Sequence, residues 1–179
     1  YLGSRHFSIV AGTIGLKLTE DSHVMGAFFH SVSARTAGFS TYPLGEFTNA
    51  GLFILVILMF IGASPGSTGG GVKTSTMFVI FSVMKRVVRN GHCVAFKRRI
   101  EDKVIMQAFV VVLLALFVVC TGTLLLCLAE PEYSFIQLLF ECVSAFGTVG
   151  LSTGITPELG VTAKLILILT MFIGRLGVM

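Results

Sequence analysis

Residues 36–62 read TAGFSTYPLGEFTNAGLFILVILMFIG, and residues 148–174 read TVGLSTGITPELGVTAKLILILTMFIG. The two stretches align without a gap at an offset of 112. Thr36 falls on Thr148, Gly38 on Gly150, Ser40 on Ser152, Thr41 on Thr153 and Glu46 on Glu158; Ile54-Leu55 falls on Ile166-Leu167 and Met59-Phe60-Ile61-Gly62 on Met171-Phe172-Ile173-Gly174, which makes 11 identities in 27 positions. Apolar composition alone supplies the Ile and Leu matches. It does not supply Thr-x-Gly-x-Ser-Thr, a Glu and Met-Phe-Ile-Gly in one register, so the chain carries a parallel internal repeat.

Working outward, each Thr-x-Gly link sits between a short apolar helix and a longer one. His23 to Arg35 is apolar but too short to cross a bilayer, with Ser22 as its candidate cap. Glu46 to Gly62 is an apolar helix candidate, and Thr74 to Met84 resumes as helix. Val104 to Leu128, 25 residues, gives about 37 Å of helix and spans. Tyr133 to Phe146 is the second short helix, and Pro157 to Met179 is a last span with proline near its first turn. The second half therefore runs span, short helix, link, span. The first half repeats this without its leading span, because residues 1–23 are mixed and suggest no element. Two units follow: 1–103, with its leading span missing or incomplete, and 104–179.

Composition sets the class. The 179 residues are 54% hydrophobic and 12% charged, where soluble domains are near a quarter charged. Neither Phe47–Val72 nor Val104–Ala129 contains a charge. These values exclude a soluble enzyme and a disordered chain, and the 20 glycines follow no collagen period. The expected class is an all-α integral membrane protein in contact with the lipid bilayer. Of 13 basic residues, Lys85, Arg86, Arg89, Lys97, Arg98, Arg99 and Lys103 fall between two apolar stretches, which places segment 85–103 in the cytoplasm of a multi-pass cell-membrane protein. No aromatic platform is interleaved with these charges, so no nucleic acid is expected. The four cysteines form no CxxC and read as small buried hydrophobes. His92-Cys93 has too few neighbours for a zinc site. The chain opens on Tyr1 without a signal pattern, the mark of a fragment of something longer.

A half-length helix followed by Thr-x-Gly and a crossing helix is a re-entrant arrangement. Backbone without helical bonds is tolerated at membrane depth where protein buries it or where it lines a water-filled path. Carbonyls aimed along such a path can replace the hydration shell of a monovalent cation. Thr148-Val149-Gly150 is the first half of the TVGYG filter signature, and Thr36-Ala37-Gly38 is its partner. Glycine suits such a strip because it accepts positive φ. Between the helices at 46–62 and 74–84 lies GASPGSTGGG, residues 62–71, with five glycines. A flexible, partly polar stretch of this kind can lie across a wet cavity and move. It is not a phosphate loop: Val72 separates Gly71 from Lys73, and no strand precedes it.

SVSARTAGFST, GASPGSTGGGVKTS and SAFGTVGLSTG together resemble the Trk/Ktr/HKT superfamily of potassium transporters over nearly everything after His23. The resemblance implies four repeats around one pseudo-fourfold pore, of which this chain is similar to the third and fourth. It implies a filter contributed by Thr36, Ala37, Gly38, Thr148, Val149 and Gly150, with the two glycines favouring K⁺ and with one glycine per link giving a short filter. It implies an intramembrane gate at Gly62, Ser64, Gly66, Ser67, Thr68, Gly69, Gly70 and Gly71. K⁺ is then the transported ion, held by filter carbonyls alone, with no organic cofactor. Full-length subunits are expected as a homodimer, partnered by a cytoplasmic nucleotide-binding regulatory subunit that segment 85–103 can meet.

Arg175 aligns with Ala63 and so lies where the gate loop begins. An intramembrane cation faces a partner or a water cavity, and loop carbonyls at a broken helix end are suitable acceptors. Arg175 is therefore expected to latch the loop, against the alternative of an arginine snorkelling to the interface. Arg35 is expected to pair with Glu46, Glu141 or Glu158. Glu141 reads as a hydrogen-bonded brace, and Lys164 as a snorkelling lysine. Two other functions compete with potassium translocation: a non-conducting assembly module, since two repeats do not make a pore alone, and an intramembrane hydrolase using Ser64, Ser67 or Thr68. No base–nucleophile spacing supports the hydrolase, so the chain is not expected to be an enzyme.

Overall fold

In the computed structural model the described residues are 2–19, 24–62, 69–89, 94–95, 98–99 and 102–176. They form seven helices: α1 (Leu2–Thr19), α2 (Val24–Ser33), α3 (Asn49–Phe60), α4 (Thr74–Arg89), α5 (Asp102–Ala129), α6 (Phe135–Gly147) and α7 (Val161–Leu176). A 3₁₀ turn, Leu44–Glu46, precedes α3. Within the basic segment, β1 (Val94–Ala95) pairs antiparallel with β2 (Arg98–Arg99). These two-residue strands and an isolated bridge between Ile61 and Val72 are the β pairing among the described residues.

α5 is apolar over 27 residues, Lys103–Ala129, about 40 Å of helix and enough to cross a bilayer. Its buried residues Ala108, Ala115, Val119 and Leu126 recur at helical spacing and make an inward seam of mostly small side chains. Its outward residues, among them Leu113, Leu114, Phe117 and Leu124, are equally apolar but exposed. An apolar exterior over a small-residue seam is how helices pack in lipid. The other apolar helices are shorter than a span.

The helices pack as two similar units. α1 lies on α2 and α3, and α5 lies on α6 and α7. α3 of the first unit packs on α6 of the second, and the larger core cluster sits at this junction. It joins Leu52, Leu55 and Met59 of α3 to Phe140, Val143 and Phe146 of α6, with Val149 and Leu151 of the second link. A second cluster, including Leu138, Cys142, Leu159 and Leu167, closes the α6–α7 side.

Several sequence-based expectations change here. Residues 2–19, assigned no element, form an 18-residue helix in the place that α5 holds in the second unit. α3 starts at Asn49 rather than Glu46, capped by Thr48 Oγ1, which accepts from Gly51 N–H at 3.1 Å. α4 runs to Arg89, past Met84 and into the basic segment. α7 begins at Val161, so Pro157 lies in the preceding turn. Its first turn takes an external acceptor: Gly160 N–H donates to Glu130 Oε1 at the end of α5, at 2.6 Å, which satisfies one of the orphan amides of a helix start. The cap expected at Ser22 lies outside the described residues.

Candidate functional site

Both short helices end in the same backbone device. In the first unit Ala37 N–H and Gly38 N–H donate to Ser33 O at 3.1 and 3.2 Å, and in the second Val149 N–H donates to Ser144 O at 3.0 Å. Thr36 and Thr148 then take φ of 66° and 51°, and are the only non-glycine residues with positive φ among those described. Gly38 and Gly150 follow at 75° and 90°. A left-handed threonine costs about 1–3 kcal/mol and persists where its surroundings over-determine it. That the same strain recurs at matched positions shows the repeat in backbone geometry as well as in sequence.

Side chains of each short helix hold its link from behind. Ser33 Oγ donates to Phe39 O, and Ser144 Oγ donates to Leu151 O at 2.6 Å. Glu141, 5% exposed, accepts at Oε1 from Ser152 Oγ (2.8 Å), Thr153 N–H (2.8 Å) and Thr153 Oγ1 (3.0 Å). Its Oε2 accepts from Thr156 Oγ1 at 2.8 Å. The brace expected of Glu141 is thus in place, and both its oxygens serve the link of its own unit. In the first unit His30 fills this position: buried, with Nδ1 2.9 Å from Gly26 O and Nε2 3.4 Å from Ser40 Oγ, between the rings of Tyr42 and Phe47. Ser33, Ser144 and Thr156 were not singled out from sequence, and Ser152 and Thr153 were marked only as positions of the repeat. Their signal is Val-Ser-Ala at 32–34 and again at 143–145, an offset of 111 rather than 112.

The links abut. A side chain on Gly38 would collide with Val149 O and stand 3.4 Å from Gly150 Cα. A cleft of about 670 Å³ opens along the second link, lined by Thr148, Gly150, Ser152 and Glu141, with Leu167 and Met171 of α7 opposite. On the side where α5 ends, Tyr133 donates to Glu158 Oε2 at 3.3 Å. Its phenol is raised above the ordinary 10.0, first by lost solvation, then by that bond and the charges of Glu158, Glu130 and Glu132.

Of the expected gate residues, Ser64, Gly66, Ser67 and Thr68 lie outside the described residues. Gly62 and Gly71 lie against one another, Gly71 beside Gly147 at the end of α6 and Gly70 beside Thr148, with Gly69 next in sequence. Val72 N–H donates to Phe60 O at 3.2 Å, and Ile61 bridges Val72 in parallel, so the segment returns beside the end of α3. Gly71, at φ 77°, turns it past Gly147, and Gly70 N–H donates to Thr148 Oγ1 at 2.8 Å. The glycine-rich segment therefore touches Thr148 of the second link directly. Arg175 is exposed at the end of α7, next to Gly174, whose carbonyl oxygen stands 3.1 Å from where a Cβ on Gly70 would be. Lys164 Nζ reaches back past the start of α7 and donates to Pro157 O at 2.9 Å, at an exposed position. Arg35 is half-buried beside the first link.

Comparison with known proteins follows the same lines. Residues 12–179 match the family model TrkH, described as cation transport protein. The chain is 42% identical over 161 residues to Ktr system potassium uptake protein B of Vibrio alginolyticus, covering 89% of this chain and 35% of that one. It is 35% identical to Ktr system potassium uptake protein D of Bacillus subtilis, covering 96% and 40%. It is 36% identical to potassium/sodium uptake protein NtpJ of Enterococcus hirae, covering 92% and 37%. Among solved structures, that of the potassium transporter TrkH from Vibrio parahaemolyticus superposes with a TM-score of 0.78 at 19% identity, over 99% of this chain and 41% of that one. The chain thus spans well under half the length of the relatives it matches.

Proposed function

The chain belongs to the TrkH family of cation transport proteins, and from that premise we propose that it supplies two filter-bearing units of a potassium pathway. The observation that carries the reading is the pair of matched links: Thr36/Gly38 and Thr148/Gly150 share the same left-handed backbone, and Val149 O lies against Gly38. Main-chain oxygens of two such links, behind which Ser33, Ser144 and Glu141 fix the backbone, can take the place of water around an alkali cation. The glycine-rich segment at the inner end is the gate, and Arg175 is its latch, acting on loop carbonyls near the end of α7. Selection for K⁺ falls to Gly38 and Gly150. Full-length subunits act as a homodimer in the cell membrane, controlled by a cytoplasmic nucleotide-binding subunit that meets segment 85–103.

Rubidium uptake into vesicles by the full-length parent tests this. Gly38→Ser and Gly150→Ser should each lower uptake roughly tenfold or more, because a side chain in the left-handed region costs about 1–2 kcal/mol, to which Gly38→Ser adds a collision with Val149 O. Unchanged uptake and unchanged K⁺/Na⁺ preference in both variants would remove the filter.

A further inference from the structure

We propose that His30 positions the first link through a hold on Ser40 that a second proton on its ring completes. The proposal rests on the filter reading above and adds the residue that sets one of the two links. His30 is 1% exposed and stands behind the first link where Glu141 stands behind the second. Its Nδ1 lies 2.9 Å from Gly26 O. A carbonyl oxygen only accepts, so Nδ1 carries a hydrogen and donates. Its Nε2 lies 3.4 Å from Oγ of Ser40, which follows Gly38 and Phe39 in the link. Ser40 has one hydroxyl hydrogen, and it is given to Tyr42 O at 2.5 Å. Toward His30, Ser40 Oγ therefore presents lone pairs. A neutral ring with a hydrogen on Nδ1 presents a lone pair in return, and the two repel. An imidazolium donates at both nitrogens. One continuous chain of hydrogen bonds then runs from Gly26 O through His30 and Ser40 to Tyr42 O.

The surroundings suit a ring that gains a charge. Tyr42 is stacked on His30 with centroids 5.9 Å apart, and Phe47 is tilted against it at 5.4 Å, both within the range at which an aromatic ring attracts a cation. Gly26 lets Tyr42 close in: a Cβ there would stand 2.7 Å from Tyr42 Cε2. Among the described side chains, the titratable or charged groups on the elements packed around His30 are Lys17 of α1 and Arg35, Tyr42 and Glu46 of the first link, and α3 carries none. Of these, Tyr42 lies against the ring. In the second link the hold runs in the opposite sense: Ser152 Oγ donates to Glu141 Oε1 at 2.8 Å, which needs no proton on the brace. Acid therefore tightens the first link through His30. A link held in one geometry discriminates between ions better than a slack one. The added charge acts on K⁺ and Na⁺ alike and cancels from their ratio, so ion preference, rather than rate, is the quantity that His30 sets.

The test is Rb⁺ uptake against competing Na⁺ by the full-length parent in vesicles, with the pH equal on both sides and varied between about 8 and 5, the range in which an imidazole changes charge. Preference for Rb⁺ should rise by about two- to tenfold toward acid, the weight of one net hydrogen bond. Ser40→Ala, at an exposed position, removes the acceptor and should flatten the profile while His30 stays in place. His30→Gln, whose amide donates at every pH, should flatten it as well, at a higher preference than His30→Phe, which donates at none. Ser152→Ala, in the other link, should keep the response to pH. A parent preference that does not change with pH overturns the proposal. So does a response that survives Ser40→Ala or His30→Gln, or one that Ser152→Ala removes. Gly38→Ser, measured alongside, separates the two readings. If it abolishes preference, the filter stands and only the role of His30 falls; if it changes nothing, the filter reading falls too.

Discussion

A carboxylate and an imidazole hold corresponding places behind the two links. Glu141 accepts four hydrogen bonds, from Ser152, Thr153 (twice) and Thr156, while His30 meets only Gly26 O and Ser40. An ionised carboxylate is acceptor-only and matches four donors; a glutamine keeps one acceptor oxygen and turns an NH₂ toward groups that also donate. Glu141→Gln should therefore cost about 2–4 kcal/mol, two charge-assisted bonds at 1.5–3 kcal/mol each partly offset by relaxation, and should loosen the second link more than the first. Thermal unfolding in detergent measures the cost, and on the proposed filter reading K⁺/Na⁺ discrimination by the full-length protein should fall with it. Stability within about 0.5 kcal/mol of the parent would mean that the link does not depend on its brace. A buried glutamate in a short apolar helix was visible in the sequence as a brace. Its donors were not, because nothing local to Ser152 or Thr156 shows which way a strained link turns its hydroxyls.

The helix ends explain why the repeat was only partly legible. The links and the crossing helices keep an offset of 112, but Ser33 corresponds to Ser144 and His30 to Glu141, at 111. Three residues separate Ser144 from Thr148 where two separate Ser33 from Thr36, so an ungapped comparison matches the links and misses the shared Val-Ser-Ala. α1 was missed for a different reason. Gly12 and Gly15 dilute its hydropathy, yet these glycines let it approach closely: side chains there would meet Ser31 and Leu58, and Ile54. Such a helix is held by proximity rather than by apolar bulk. The same principle governs α7, where a side chain on Gly174 would collide with Phe146 O and stand 3.0 Å from Phe146 Cα. Gly174→Ala should push α7 off α6 and cost about 1–3 kcal/mol, read as a lower unfolding temperature and faulty gating. Leu169→Ala on the exposed face of the same helix should change stability far less. Equal losses from both would show that the α6–α7 crossing is not tightly fitted.

At the scale of the whole molecule, the α3–α6 junction joins two like-built units, and the apolar exterior surrounds both. Repetition of a unit in parallel puts corresponding ends on the same side, so both links share one level, and α5 must carry the chain across between them. Its length does so: Lys103–Ala129 is the one described helix long and apolar enough to cross a bilayer. The basic segment with its β1–β2 hairpin therefore lies on one side, and Glu130, Pro131 and Glu132 on the other. Basic residues stay on the cytoplasmic side during insertion, so the acidic turn, with Glu130 capping α7, is expected on the outer side, where its charge would favour the approach of cations. This orientation is decided by labelling. With the four native cysteines replaced by serine in the full-length parent, Glu132→Cys should react with a membrane-impermeant maleimide added to intact cells, and Arg98→Cys only after the cells are opened. The reverse pattern would invert the protein and place the gate loop on the outer side of the links. Labelling of both positions in intact cells would mean that α5 does not cross, and the membrane pathway would lose its scaffold.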